Sequence, residues 1–185
     1  MKKYLPFIIF LAVFLTVLVG QIVFKMVKPD AVVAEYGSKY NEYESIFLNS
    51  SYKTIEGNTV QMSKLTSPVV IYNFWASWCI PCLEEMPSMI SMKKKFSADK
   101  IQIIAINTDE EEQMANIQKT IKKIELKEEF TIVPDKNAEL VTQFNISAIP
   151  VTIVFHRGKV VHFSNGPMDF MSEEFLEQMK GWTAN

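Results

Sequence analysis

The run Val69–Ala76, VVIYNFWA, is continuously apolar and rich in β-branched and aromatic residues. Such a run is expected as a strand covered on both faces, which confines the chain to folds with packing layers above and below a sheet. Ile101–Asn107 (IQIIAIN) is a second run of this kind, and Phe130–Val133 (FTIV) a third. Helical segments fall between them. One follows the CxxC at Cys79–Cys82, and a second is expected from a cap at Thr108 or Asp109 to about Leu126. Glu110–Glu112 would lie in the first turn of that second helix, where acids offset the helix dipole. NAELVTQF reads as a short helix. VTIVFH and VVHFSN flank Arg157-Gly158-Lys159 as a hairpin, and Ser172–Trp182 closes the chain as an amphipathic helix. Upstream, Phe47–Leu65 reads as two short strands about the turn-forming trio Glu56-Gly57-Asn58. The pattern is α/β, with a central mixed β-sheet flanked by helices and an N-terminal β-hairpin.

The 185 residues leave room for one domain and a tail. No charge interrupts Tyr4–Phe24, a helix of about 30 Å if continuous, enough to cross a bilayer core. Residues 1–28 are expected to form an N-terminal transmembrane anchor, 29–46 a tether with a short helix near Tyr40, and 47–185 the folded domain. A cleaved signal peptide is the alternative, but no A-x-A pattern closes the apolar run. Lys2 and Lys3 favour a cytoplasmic N-terminus. The domain would then lie in the periplasm or on the outer face of a single-membrane cell, held by a single-pass cell-membrane segment. That compartment permits disulfides. From Asp30 onward the chain carries about −6, which makes nucleic acid a poor partner.

Cys79 and Cys82 are the only cysteines. A zinc site with His156 and His162 superficially fits a C-x2-C…H-x5-H pattern, but the two pairs lie far apart in sequence, and hairpin surface is the simpler reading of the histidines. A four-residue ring closed by a disulfide removes little loop entropy, so the pair is a weak staple. It suits a switch. Cys79 falls at the start of a helix, where unpaired N–H groups and the dipole stabilise a thiolate. Pro81 sits in the first turn, where proline costs no hydrogen bond. Cys82 lies one turn further in, suited to attack a mixed disulfide formed at Cys79. Pro87 should kink the same helix near Leu83. Met86, Met89 and Met92 read as core.

The stretch NFWASWCIPC resembles the active-site signature of the thioredoxin-like superfamily, and WCIPCLEEMP resembles its membrane-anchored TlpA, ResA and CcmG branch. The likeness runs from about Phe47 to Trp182 and includes ISAIPVTIVF. It implies a thioredoxin-like fold with an inserted helix–strand unit, here Asp109–Leu126 and Phe130–Val133. It also implies a cis Ile149–Pro150 bond beside the cysteines, offering a backbone edge to an incoming peptide. General thioredoxins hold a buried aspartate where this chain has Asn73. The branch instead places a glutamate three residues after the second cysteine, here Glu85, able to pass protons to and from Cys82. Glu84 is expected on the solvated face. Trp75 and Trp78 are both placed to line a substrate groove with Ile149 and Pro150, and Trp78 also to shield Cys79. Ile80 brings no cation between the cysteines, which sets the pair toward the reducing end.

The resemblance implies a thiol-disulfide oxidoreductase without metal or organic cofactor, with Cys79, Cys82 and Glu85 catalytic. Ile80 and Pro81 would tune the redox pair. Electrons would come from a membrane thiol reductase of the DsbD or CcdA type. Clients would be disulfide-bearing proteins such as apocytochrome c or copper-oxidase precursors. The competing readings are a disulfide-forming oxidant or isomerase, and a copper- or zinc-handling protein using the two thiolates. A peroxidase is disfavoured because no cysteine precedes the CxxC.

Overall fold

The computed structural model describes residues 14–18, 40–124 and 130–184. The chain divides into compact units at 1–41 and 42–185. In the first, residues 14–18 are helical. No helix among the described residues is long and apolar enough to cross a membrane. The anchor expected over 1–28, and the tether up to residue 39, otherwise lie outside the described residues.

The second unit is built from α1 (Asn41–Asn49), β1 (Ser51–Lys53), β2 (Thr59–Gln61), β3 (Val69–Trp75), α2 (Ile80–Lys93) and β4 (Ile101–Asn107). It continues with α3 (Gln113–Ile124), β5 (Thr131–Pro134), α4 (Glu139–Gln143), β6 (Val151–His156), β7 (Lys159–Asn165) and α5 (Glu173–Thr183). β1 and β2 form a separate antiparallel hairpin. The main sheet runs β5-β4-β3-β6-β7. β3, β4 and β5 are parallel, and β6 and β7 join antiparallel. The parallel steps require crossovers, which α2 and α3 supply. The sequence pattern of a mixed sheet flanked by helices, with a hairpin and an extra helix–strand unit, is thus present.

β3 is central and buried along its whole length. Because successive strand residues point to opposite faces, its run divides between two cores. Val69, Ile71 and Trp75 face one side, with Ile101, Ile103 and Ala105 of β4, and meet Met86, Met89 and Met92 of α2, Ile117 of α3 and Met179 of α5. Val70, Tyr72 and Phe74 face the other, with Ile104 and Ile106, and meet Phe47 of α1 and Leu140 and Phe144 at α4. The methionines are fully buried, as their spacing suggested. α2 runs on through Pro87 to Lys93.

Two segments depart from the expected boundaries. The break drawn between 46 and 47 falls inside α1, whose Phe47 ring stacks on Phe155 at 4.3 Å. Glu44 of α1 is also buried; it pairs with Lys159 at 2.6 Å and accepts the N–H of Val160 on β7 at 3.1 Å. The polar sequence of α1 concealed one apolar and one acidic anchor. The other departure is α3, which begins at Gln113 rather than at Asp109. The acids before it are not a first turn: Glu112 takes a left-handed φ of 46°, and Asp109 is engaged elsewhere. At the β6–β7 turn, Arg157 and Gly158 both have positive φ, 51° and 81°, the geometry of a tight two-residue hairpin.

Phe47→Ala should destabilise the protein by about 3–5 kcal/mol, the usual cost of emptying an aromatic core site. Urea unfolding checks this. A loss below about 1 kcal/mol would make α1 a tether rather than a core element.

Candidate active site

β3 delivers the chain to the site, and the turn that follows presents the cysteines. The N–H of Cys79 donates to the Ala76 carbonyl at 3.1 Å, closing the turn. Cys79 is the N-cap of α2, and its Sγ accepts the N–H of Cys82 at 3.3 Å. Pro81 takes the second helical position. Cys79 and Cys82 form a disulfide with Cα atoms 5.3 Å apart. Cys82 is wholly buried and Cys79 is 4% exposed, so the pair belongs to the core and reaches solvent only at Cys79. Around it stand Trp78 and Ile80, 70% and 66% exposed, two large apolar side chains turned to solvent beside a reactive bond.

The turn is held from β4. Asp109 Oδ1 accepts the N–H of Ser77 at 2.9 Å, and Oδ2 accepts Asn107 Nδ2 at 3.1 Å. Asn107 Oδ1 in return accepts the N–H of Asp109 at 3.1 Å. The Thr108 N–H donates to the Trp75 carbonyl at 2.8 Å. Asp109 is therefore neither a helix cap nor part of a charged face; it is a buried bracket for the segment that carries the cysteines. Sequence reasoning missed this. The available signal was Asn107, an amide closing an otherwise apolar strand, because a buried amide needs partners.

Beneath the disulfide lies a second polar group. Glu85 is buried one turn after Cys82 on α2, whereas Glu84 is exposed, as expected. Its Oε1 accepts Asn73 Nδ2 at 2.8 Å, and its Oε2 accepts the N–H of Met168 at 3.1 Å. Asn73 Nδ2 also donates to Thr152 Oγ1 on β6 at 3.2 Å. Burial holds the Glu85 carboxyl above the usual carboxylate range, and the hydrogen bonds from Asn73 and Met168 only partly offset it. Asn73, Thr152 and Met168 were not expected as partners of Glu85.

The two tryptophans, both expected at a groove, fall in different places. Trp75 is fully buried in the core and lines no groove. As the last residue of β3 it shares the face of Ile71, which is turned toward α2. Trp78 is exposed and lines a groove of about 660 Å³ with Glu110, Lys136, Val141, Ile146 and Ile149. Ile149 also packs against the cluster that contains both cysteines. The Ile149–Pro150 bond is cis, as the resemblance implied. The histidines do not form a pair: His156 lies opposite Lys159, and His162 opposite Val154. Among the described residues no group of three or more His, Cys, Asp or Glu is placed to hold a metal.

With one sulfur near solvent at a helix N-terminus, the CxxC disulfide is open to attack by a thiolate and suited to thiol–disulfide exchange. The model of the AhpC/TSA family matches residues 45–163. Thiol-disulfide oxidoreductase ResA of Halalkalibacterium halodurans is 31% identical over 135 residues, covering 72% of this chain and 74% of that one. Sporulation thiol-disulfide oxidoreductase A of Bacillus subtilis is 30% identical over 156 residues, 84% of this chain and 87% of that one. The crystal structure of StoA from Bacillus subtilis superposes with a TM-score of 0.58 at 28% identity, over 75% of this chain and 99% of that one. A thiol:disulfide interchange protein of the thioredoxin family from Chlorobium tepidum gives 0.61 at 25%, over 73% and 93%. The chain belongs to the AhpC/TSA family of thioredoxin-like proteins and is a thiol-disulfide oxidoreductase of the ResA and StoA type.

Two measurements probe this site. Asp109→Ala leaves the Ser77 N–H and the Asn107 amide without their acceptor and should cost about 1–3 kcal/mol in thermal or urea unfolding. Glu85 gives a pH signature. Its raised value means the folded chain keeps a proton that the unfolded chain has already lost. The stability this supplies is full below the ordinary glutamate value and is lost as pH rises through the raised one. Glu85→Gln does not titrate, so its stability relative to wild type should climb as pH rises from the ordinary glutamate value, about 4.3, through the raised value of the folded chain. A difference that stays constant with pH would contradict the assignment.

Proposed function

We propose that this chain is a membrane-tethered disulfide reductase acting outside the cytoplasm. The observation that carries the reductive direction is Ile80: it stands between the cysteines, 66% exposed, and supplies no positive charge to favour a thiolate. An uncharged neighbour leaves the reduced pair less stabilised than a cation would, and so more ready to give up its electrons. The uncharged stretch Tyr4–Phe24 behind Lys2 and Lys3 supports the tether and the orientation.

In the reduced enzyme the Cys79 thiolate attacks one sulfur of a client disulfide. A Cys79–client mixed disulfide forms, and the client's other sulfur leaves as a thiolate that takes up a proton. Cys82 then yields its proton to Glu85 and attacks Cys79 Sγ. The intramolecular disulfide forms, and the second client sulfur departs as a thiolate that takes the proton back from Glu85. The client has gained two electrons from the enzyme and two protons, one from water and one from Cys82 by way of Glu85. Trp78 and Ile149 form the surface on which the client peptide lies, and buried cis Pro150 shapes it. Two electrons from a membrane thiol reductase of the DsbD or CcdA type restore the dithiol. The resemblance to the TlpA, ResA and CcmG branch favours clients that must keep free thiols, such as apocytochrome c before haem attachment or copper-oxidase precursors.

The reduction potential of the full chain in detergent, equilibrated in thiol/disulfide buffers and followed by alkylation of Cys79 and Cys82, tests the direction. A value near or below about −250 mV, the thioredoxin range, is expected. A value near about −120 mV would make the protein an oxidant.

A further inference from the structure

Both oxygens of the Glu85 carboxylate are occupied. Oε1 accepts Asn73 Nδ2 at 2.8 Å, and Oε2 accepts the N–H of Met168 at 3.1 Å. An ionised carboxylate satisfies two donors at once, but a carboxylic acid keeps only its carbonyl oxygen as a good acceptor. A proton arriving at Glu85 therefore has to displace one of the two donors.

The donors differ in how firmly they are held. Asn73 is wholly buried in β3, and its Nδ2 also donates to Thr152 Oγ1 at 3.2 Å, so the amide is fixed between α2 and β6. Turning the amide over would point its NH2 to where Oδ1 now has no partner, leaving a buried donor unsatisfied. The Met168 N–H belongs to the half-buried segment between β7 and α5, and its bond is the longer one. We infer that Asn73 is a positioning residue: it reserves Oε1 as the acceptor, so that Glu85 takes its proton on Oε2 and the Met168 N–H gives up its partner when it does.

The segment that loses this bond is tied to the groove. Two residues before Met168, the Gly166 N–H donates to the Pro150 carbonyl at 2.8 Å. Proton uptake at Glu85 thus acts on the backbone that buttresses Pro150. Its part in exchange rests on Glu85 being the proton acceptor for Cys82, as proposed above. The groups facing the carboxyl are Asn73 from β3, Thr152 from β6 through that amide, the Met168 backbone, and Cys82 one turn back on α2. The nearest acid on the Met168 segment, Asp169, is exposed and engaged with the Met171 N–H. No charged side chain figures among the causes of the Glu85 shift.

The test is NMR on the oxidised full chain in detergent, labelled with 15N-methionine and carboxyl-13C-glutamate, with Met168 assigned through Met168→Leu. As pH falls, the Met168 amide proton is expected to move upfield with the same midpoint as the Glu85 carboxyl, and to stand still in Glu85→Gln. Asn73→Ser frees Oε1; the proton then divides between the oxygens, and the Met168 response should shrink by about half. A stationary Met168 amide in wild type while Glu85 titrates overturns the inference, and so does an undiminished response in Asn73→Ser. The wild-type titration decides even if Asn73→Ser does not fold. Disulfide-exchange rates separate the two readings. Glu85→Gln exchanging at the wild-type rate would remove Glu85 as proton carrier without touching the assignment of Oε2.

Discussion

The hydrogen bond from Asn73 to Glu85 joins the middle of the central strand to the helix that carries both cysteines. A carboxyl and an amide are costly to place at a dry sheet–helix interface unless each satisfies the other. Here they do, and the pairing fixes how α2 sits against β3. The rest of the site inherits that fit. Cys82 packs in the same layer as Met86 and Met89, and the disulfide is part of the core rather than an ornament on it. A redox change at the sulfurs is therefore felt by packed side chains from the outset.

The surrounding layers hold this interface from both sides. One core brings α2, α3 and α5 together on one face of the sheet, while Phe47, Tyr72, Phe144 and Phe155 fill the other with aromatic contacts. Neither face of β3 is free to relax into water. Strand, turn and helix then form one stiff unit, with the Asp109–Ser77 bond bracing the turn from β4. Beside the disulfide, Trp78 and Ile80 are exposed, and Trp78 lines a groove that runs past Ile149.

Much of this was legible in the chain. The runs at Val69–Ala76 and Ile101–Asn107 announced buried parallel strands because their periodicity admits nothing half-exposed, and Cys79-x2-Cys82 after a strand end announced the site. What escaped was tertiary. A short helix near Tyr40 was expected, but the packing of α1 escaped because Tyr43, Phe47 and Glu44 give no strong apolar stripe; Glu44 finds its partners 115 and 116 residues away. Asp109 looked like helix-dipole compensation because its true partners, Ser77 and Asn107, belong to other elements. The departure of Trp75 from the groove has a simpler reason. Trp75 is the last residue of a doubly covered strand and must be buried, whereas Trp78, in the turn beyond it, is free to face out.

The contacts of Glu44 and Ile55 have a consequence for recognition. β5 and β7 are the edges of the sheet, the places where a foreign strand ordinarily adds by backbone pairing. On β7 the Val160 N–H is already taken by the Glu44 carboxylate, and on β5 the Ile132 carbonyl accepts the N–H of Ile55 at 3.1 Å. On each flank one backbone group is thus engaged by the chain's own residues. A foreign strand pairing at that point would first have to displace the contact. The disulfide follows the end of β3, the central strand, two strands in from each rim, so sulfur chemistry and edge pairing fall at different places on the sheet.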